Sequence, residues 1–310
     1  MDIYSELAER VGEVHLRQRL VLQVEHAAQV FGQGRTLLHI ENVEWLPVAI
    51  YWTLRLFGLY GLGQGNARAL EVHTNEVAIE ELPSALDGMR LLHLSDLHLD
   101  LDPGLTDIII DRVRDLDVDL CVFTGDYRAS TSGPYEPAVA QTSRVVEALT
   151  APSYGVLGNH DFIEFVPPLE QAGLRFLLNE TVAVEHNGAS LYLSGVDDPH
   201  FYRAESLEKV AAHVPARQPA ILLSHSPEIY RRAAAVGFSL MLSGHTHAGQ
   251  ICLPGGVPIL TNARCSRRLI KGPWRHGALH GYTSPGVGCS GVPVRFFCPP
   301  AVTVHVLRSA

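Results

Sequence analysis

The sequence lacks the hallmarks of several common protein classes. Its 310 residues include only 5 cysteines, an odd number, and no two of them form a C-x-x-C pair. This argues against a disulfide framework and against a thiolate zinc site. The formal net charge is -9, so the chain lacks the basic face that a nonspecific nucleic-acid binder needs. We therefore expect no nucleic-acid partner.

Two further absences concern location. The chain does not open with a positively charged segment, an apolar core and a small-residue cleavage site, which predicts an unexported, cytoplasmic protein. It also lacks an uninterrupted apolar run of about 20 residues. The most lipophilic stretch, residues 45–62, is broken by Arg55 and has aromatic residues spread along it. We expect it to lie in the interface of the inner membrane, and packing against the rest of the protein is the alternative.

The N-terminal region is predicted to be helical. Apolar residues recur near a 3.6-residue period over residues 4–33, which predicts one amphipathic helix without a catalytic signature. Asn42 is a candidate cap for the helix over residues 45–62. The glycine-rich residues 61–66 predict a flexible linker. We therefore divide the chain into an N-terminal helical extension, residues 1–66, and a catalytic domain, residues 67–310.

What the sequence does have is one pattern repeated five times, in which a short apolar run ends in polar side chains. The runs predict buried strands. Side chains just past the carboxyl ends of strands in an α/β sheet converge on one crevice. Their oxygen and imidazole donors suit Mn, Fe, Zn or Mg in an open catalytic site better than a closed structural zinc. The residues are Asp96, His98, Asp126, Asn159, His160, Asp161, His225, His245 and His247.

The order of these motifs resembles that of the calcineurin-like metallophosphoesterases. That family's signature runs D-x-H, G-D, G-N-H-D/E, a lone His and G-H-x-H, and this chain carries every block in that order. A single D-x-H is common, but five blocks in order, each behind an apolar run, are a strong signal. The predicted strands alternate with helices, which indicates the α/β class with helix-covered sheets.

The resemblance sharpens the fold to two mixed β-sheets packed face to face with flanking helices. Residues 70–73 and 77–80 are expected to form a first strand pair. Apolar residues alternate with period 2 in the C-terminal part, from residue 281 to residue 307, which predicts half-exposed strands that close the second sheet.

The resemblance also implies two divalent metal ions, with Mn, Fe or Zn favoured over Mg. One ion would be held by Asp96, His98 and His247, the other by Asn159, His225 and His245, with Asp126 bridging both. Such a pair activates a bridging hydroxide for in-line attack on phosphorus. For each single residue, a cap or turn role is the alternative.

Two neighbouring residues receive catalytic roles by the same resemblance. His160 would stabilise the leaving-group oxygen or act as a general acid, and Asp161 would orient its ring. Five cationic residues are candidates for substrate contact: Arg128, His200, Arg203, Arg267 and Arg268. Residues 264–276 contain no acid and could bind a lipid head group or a second phosphate, with a solvated loop as the alternative.

A narrower resemblance concerns the substrate. Residues 82–83, 86–88, 195–199, 247–250, 286–288 and 297–300 are similar to those of the bacterial YaeI/YkuE-like phosphodiesterases, over about residues 70–308. Some relatives of that subgroup cleave the pyrophosphate of UDP-2,3-diacylglucosamine during lipid A synthesis. The resemblance implies a phosphodiester or pyrophosphate substrate, with a lipid-linked one among the candidates.

These inferences lead to one expected function and two alternatives. We expect a two-metal phosphoesterase, peripheral on the cytoplasmic face of the inner membrane. A soluble general phosphodiesterase is the first alternative, and a non-catalytic metal-binding regulator is the second. The sequence leaves the oligomeric state undetermined.

Overall fold

The computed structural model describes residues 2–31, 45–131, 133–261 and 263–310. The predicted cap at Asn42 lies outside these residues. The described helices are α1 (Ile3–Val11), α2 (Glu13–Phe31), α3 (Trp45–Leu56), α4 (Tyr60–Arg68), α5 (Leu105–Val113), α6 (Glu136–Glu147), α7 (Val166–Gln171), α8 (Leu207–Ala212) and α9 (Tyr230–Val236). The described strands are β1 (Glu71–Ile79), β2 (Arg90–Leu94), β3 (Leu120–Phe123), β4 (Ser153–Gly155), β5 (Leu174–Phe176), β6 (Glu180–His186), β7 (Ala189–Gly195), β8 (Ala220–Leu223), β9 (Leu240–Ser243), β10 (Cys252–Leu253), β11 (Val257–Pro258), β12 (Gly272–His276), β13 (Leu279–Thr283) and β14 (Ala301–Ser309).

Twelve of these strands form two six-stranded sheets. The first has the order β1-β14-β2-β3-β4-β5 and the second has the order β12-β13-β9-β8-β7-β6. Strands β2 to β5 run parallel, as do β7, β8, β9 and β13, while β14 is antiparallel to β2 and β6 is antiparallel to β7. Both sheets are therefore mixed. The prediction of two mixed sheets with flanking helices is confirmed.

The sheets pack together because their central strands are apolar on both faces. In β3, Leu120 and Val122 contribute to the core between the sheets, whereas Cys121 and Phe123 face the helices outside. Successive side chains of a strand point to opposite faces. Strands covered on both faces appear in a sequence as continuous apolar runs. This explains why the five runs before the metal motifs show no polar alternation.

The prediction that strands within residues 281–307 close the second sheet is correct for β13 and wrong for β14. β14 lies in the first sheet, between β1 and β2, and its residues 301–307 are buried rather than half-exposed. β1 is one continuous strand that pairs with β14 in parallel, so the predicted pair of strands over residues 70–80 is also wrong. Period-2 alternation identifies a strand but does not choose its sheet, because both sheets share one core.

The first predicted helix is two helices. Gly12, with φ of 86°, ends α1, and α2 begins at the next residue. A glycine adopts this left-handed region without the cost that a Cβ adds. Leu7 of α1 and Leu16 of α2 are buried in the outer core of the first sheet. The extension is therefore packed against the sheet domain.

Residues 45–62 also divide into two helices, because Gly58, with φ of 69°, interrupts them. The predicted linker over residues 61–66 is wrong, since these residues lie in α4. A Cβ on Gly63 would collide with Phe296 and Val294. The glycine therefore allows close packing of the helix. Among the described helices, none has both the length and the apolar character that crossing a membrane requires.

Two buried histidines lie in the core between the sheets. The Nε2 atom of His93 is 2.9 Å from Thr124 Oγ1, and its Nδ1 atom is 3.3 Å from His305 Nε2. Thr124 donates its proton to Ser95 Oγ at 2.7 Å. It must therefore accept from His93, so a directed chain of hydrogen bonds leads from His305 to Ser95. Burial lowers the pKa of His93 to about 3.

We expect His93 to make the fold sensitive to acid. The folded pKa is depressed from 6.5 to about 3, so below pH 6.5 the unfolded state binds a proton that the folded state does not. Stability is thus present above pH 6.5 and is lost as the pH falls toward 3, at about 1.4 kcal/mol per pH unit. Urea unfolding between pH 6.5 and 4 should show a slope in His93→Asn that is shallower by about one proton. Equal slopes in the wild type and in His93→Asn would contradict the depressed pKa of His93.

Candidate metal centre

The predicted ligands all follow strands that end at one edge of the two sheets. Asp96 and His98 follow β2, Asp126 follows β3, and Asn159 follows β4 in the first sheet; His225 follows β8, and His245 and His247 follow β9 in the second sheet. Carboxyl ends of parallel strands meet at such an edge. The structure brings the seven residues together there, and all of them are buried.

One group of potential ligand atoms comes from Asp96, His98 and His247, whose donor atoms lie within 4.8 Å of one another. The Nε2 atoms of His98 and His247 are 3.1 Å apart. His98 Nδ1 lies 2.6 Å from the carbonyl oxygen of Arg128. Because this nitrogen must donate to the carbonyl, the lone pair of His98 Nε2 points into the group.

The second group comes from Asp126, His225 and His245. His225 Nε2 is 3.3 Å from Asp126 Oδ2 and 3.2 Å from His245 Nδ1. The carboxamide oxygen of Asn159 lies 2.9 Å from the same His225 nitrogen. Asn159 therefore lies beside this group, as the resemblance implied.

Asp126 lies between the two groups. Its Oδ2 atom is 3.3 Å from His225 Nε2 in the second group and 3.8 Å from His98 Nε2 in the first. A single carboxylate within reach of both groups is what a bridging ligand requires. The backbone N–H of His160 donates to its other oxygen at 3.0 Å.

The chemistry of these atoms fits bound cations. His225 Nδ1 lies 2.7 Å from the carbonyl oxygen of Thr124 and must donate to it, so the neutral ring presents its lone pair at Nε2. That lone pair, the Asn159 oxygen and the Asp126 carboxylate are all acceptors that face one another. Among the described residues, His245 Nε2 and His247 Nδ1 are buried without a hydrogen-bond partner. Acceptors that converge without donors are suited to hold a cation.

Backbone conformation is unusual at the same positions. Five of the candidate ligands have positive φ, between 44° and 71°, a region that costs energy for residues other than glycine. These are Asp96, His98, Asp126, His245 and His247. Glycines allow the loops to approach closely. A Cβ on Gly158 would collide with the Asp126 carboxylate, and one on Gly244 would collide with Ser95 and Asp96.

The pKa values of the site reflect burial and crowding. Burial, followed by the charge of Asp126, raises the pKa of Asp161 to about 6. Burial also raises the pKa of Asp96 to about 6, although His225 lowers it in part. Burial opposes a charge on His225, but the Asp126 carboxylate outweighs this effect and raises the pKa of His225 well above its ordinary value. The site thus favours positive charge beside Asp126.

His160 and Asp161 both lie at the site, but Asp161 makes no hydrogen bond to His160 Nδ1, which is buried without a partner among the described residues. Its two carboxylate oxygens accept backbone N–H groups of Asp126, Tyr127 and Gly158 at 2.7, 2.9 and 2.7 Å. The expected ring orientation is therefore wrong, because these donors occupy the carboxylate. Asp161 instead holds together the loops after β3 and β4. His160 Nε2 lies 3.8 Å from Asp126 Oδ2.

The candidate substrate residues divide into two sets. His200 lies next to the centre, with its ring centroid 4.1 Å from that of His245. Arg128 is buried, and its guanidinium carbon lies 4.7 Å from the Phe162 ring centroid. Arg203, Arg267 and Arg268 are exposed, and the structure does not bring the last two into the ligand groups.

Sequence reasoning missed the contribution of the N-terminal extension. Arg19 of α2 is fully buried and donates to the carbonyl oxygen of Asp161 at 2.9 Å. The sequence did contain an indication of this contact. Arg19 and Gln23 follow Leu16 at helical spacing, so all three lie on the buried face of α2. Polar residues on a buried helix face need polar partners. The sequence did not indicate which partners these would be.

Comparison with known proteins agrees with this geometry. The family model described as calcineurin-like phosphoesterase matches residues 89–249, which span all seven candidate ligands. The chain belongs to the calcineurin-like phosphoesterase family. The chemistry of that family is metal-dependent hydrolysis of phosphate esters, and the predicted family is confirmed.

Two curated relatives of this phosphoesterase cover most of the chain. The uncharacterized metallophosphoesterase YkuE of Bacillus subtilis is 30% identical over 266 residues, which cover 80% of this chain and 91% of that protein. The bovine transmembrane protein with metallophosphoesterase domain is 30% identical over 287 residues, which cover 86% of this chain. The match spans only 62% of the length of the bovine protein.

Similarity to solved structures is weaker. The structure of sulfate thiohydrolase SoxB from Thermus thermophilus in complex with glycerol is 15% identical, with a TM-score of 0.44. The match covers 73% of this chain and 57% of that one. A likeness at this level carries no argument about function.

Metal binding should depend on Asp126. We expect Asp126→Asn to lower the affinity for Mn²⁺ at both groups by at least about tenfold, because it replaces a charged carboxylate within reach of both groups by a neutral carboxamide. Titration calorimetry of metal-free protein measures both stoichiometry and affinity. Asp107→Asn, at an exposed ion pair with Arg144, is the matched control. Two equivalents bound with wild-type affinity in Asp126→Asn would contradict the bridging role.

Proposed function

We propose that this phosphoesterase hydrolyses a phosphodiester or pyrophosphate bond with two divalent ions. Asp96, His98 and His247 would hold one ion, and Asn159, His225 and His245 would hold the other, with Asp126 shared. The observation that supports this most directly is the position of Asp126 Oδ2, within 3.3 Å of His225 Nε2 and 3.8 Å of His98 Nε2.

The bound ions and the protein's own residues have separate tasks. When bound, two divalent ions supply a hydroxide nucleophile near neutral pH and neutralise the phosphoryl oxygens. His160, whose Nε2 atom lies 3.8 Å from Asp126 Oδ2, would donate a proton or a hydrogen bond to the leaving-group oxygen. Asp161 would hold the His160 loop in place through its backbone hydrogen bonds. No covalent nucleophile from the protein is needed.

The donor set also bears on which metals bind. Four imidazoles, two carboxylates and one carboxamide favour Mn, Fe or Zn, and Mg is less suited because it prefers oxygen donors and retained water. The proposal is therefore a pair drawn from these three metals.

An exposed apolar stripe on α3 supports attachment to a membrane surface. Trp45, Val48, Trp52 and Leu56 follow one another at helical spacing and are 69%, 55%, 64% and 82% exposed. Arg55 borders this stripe, one turn after Trp52, and its guanidinium lies 5.2 Å from the Tyr51 ring centroid. A helix with an exposed aromatic and aliphatic face and a cation at the edge of that face is suited to the membrane interface.

This stripe motivates the narrower proposal of a lipid-linked substrate. Attachment at the cytoplasmic face of the inner membrane would bring the centre close to a lipid-linked pyrophosphate such as UDP-2,3-diacylglucosamine. A soluble general phosphodiesterase and a non-catalytic metal-binding regulator remain the alternatives. Assays of hydrolysis and of membrane binding distinguish these three candidate functions.

Hydrolysis should require the metal centre. We expect purified protein loaded with Mn²⁺ to hydrolyse bis-p-nitrophenyl phosphate, and Asn159→Ala to lower kcat/KM at least about a hundredfold by removing a metal ligand. The melting temperature without metal reports whether the variant folds. A folded wild type that binds metal but hydrolyses no phosphate ester would support the regulator. If UDP-2,3-diacylglucosamine is hydrolysed no faster than the simple diester, the proposal of a lipid-linked substrate is wrong.

Membrane binding should require the stripe on α3. Wild-type protein should cosediment with vesicles of anionic phospholipid, and Trp52→Glu combined with Leu56→Glu should reduce the bound fraction about tenfold by placing charges in the apolar interface. Leu253→Glu, at an apolar residue that is 54% exposed in β10, is the matched control. Equal binding of the two variants would contradict the membrane role.

A further inference from the structure

The N-terminal helix α2 is fixed to the active-site loops by a buried cation. Arg19 is fully buried, and its guanidinium carbon lies 3.2 Å from the Tyr202 ring centroid. Its Nε atom is 3.3 Å from Asp197 Oδ2, and Nη2 donates to the Asp161 carbonyl oxygen. One side chain thus contacts the loop after β4 and the loop after β7.

Two further side chains of α2 strengthen this attachment. His15 Nε2 lies 3.2 Å from Asp197 Oδ2, and the Gln23 side-chain oxygen accepts the backbone N–H of Ile163 at 2.8 Å. A buried ion pair with several hydrogen-bonded partners fixes geometry strongly, because loss of one partner would leave a buried charge. The position of α2 relative to the metal centre is therefore fixed.

Held in this way, α2 forms one wall of a cavity of about 280 Å³. Its apolar lining includes Leu22 from α2 together with Pro199 and Phe201. Its charged lining includes Arg203, Arg264 and Glu228. An apolar surface with a few convergent polar groups is typical of a small-molecule site.

His200 connects this cavity to the metal centre. It lines the cavity, its ring centroid is 4.1 Å from that of His245, and its Nδ1 atom is 3.1 Å from Glu228 Oε2. His160 lies beside His98 of the first group, with its ring centroid 5.2 Å from that of His98. The cavity and the leaving-group residue therefore adjoin different ligand groups.

We propose that this cavity binds the organic group that stays on the phosphate when the leaving group departs on the His160 side. The proposal rests on the proposed phosphoesterase activity. Small-molecule sites usually have volumes of roughly 300–1,000 Å³. A cavity just below this range accepts one ring-sized group, with an apolar face toward Leu22 and Phe201 and a polar or anionic substituent toward Arg203. It is too small for a diacylated lipid, whose chains would have to lie outside it.

Two diesters with the same leaving group test this directly. Methyl p-nitrophenyl phosphate and phenyl p-nitrophenyl phosphate differ only in the retained group. We expect Leu22→Trp, which fills the cavity from α2, to lower kcat/KM for the phenyl ester about tenfold and to change the methyl ester by less than about twofold. Val21→Trp, at a residue of the same helix that is 55% exposed, should leave both rates unchanged.

A second variant covers the case in which Leu22→Trp fails to fold. Leu22→Ala enlarges the cavity, so we expect it to raise the kcat/KM ratio of a naphthyl over a phenyl p-nitrophenyl ester about threefold or more. Two results would overturn the cavity assignment while the activity stands. One is an equal loss of kcat/KM for all esters in the Leu22 variants, and the other is the same kcat/KM ratio between esters in the Leu22 and Val21 variants. A wild type that hydrolyses none of these esters would instead overturn the proposed activity, and this proposal with it.

Discussion

The gathering of buried acceptor groups around the Asp126 carboxylate is the constraint on which the rest of the structure depends. His98 and His225 each donate Nδ1–H to a backbone carbonyl group, so their neutral rings point a lone pair at Nε2 into the site, where the Asn159 carboxamide oxygen also lies. A cation bound there, or a proton on His225, offsets the cost of burying these acceptors together. Two stacked sheets whose central strands are largely apolar supply the rigidity that holds these atoms together.

The sequence motifs indicated which side chains would meet, because these residues follow strand ends in a fixed order, and two candidate ligand groups do form there. The two-sheet class was predicted from the family resemblance. It misplaced β14 and misread residues 61–66, because pairing partners and close packing of Gly63 against Phe296 are properties of the folded chain. The role of Asp161 could not be read either, since a carboxylate beside a histidine in sequence is free to turn toward backbone donors.

The N-terminal extension contacts loops of the metal centre. The family match begins at residue 89, so α2 lies outside the shared segment, yet Arg19 contacts the loop of His160 and Asp161. Family membership indicates a phosphate-ester hydrolase, and within a shared fold the substrate depends on parts added around the common site. In this chain, α2, which the sequence predicts only as part of an amphipathic helix, belongs to the structure around the site.

The positive φ angles of five candidate ligands have a consequence for metal exchange. Folding has already placed the donors in these strained conformations, so little rearrangement accompanies loading. An imidazole-rich donor set suits several first-row ions, so the availability of each ion contributes to which one binds. The occupant would be decided by the supply of each ion where the chain folds, and one polypeptide could carry different pairs under different conditions of growth.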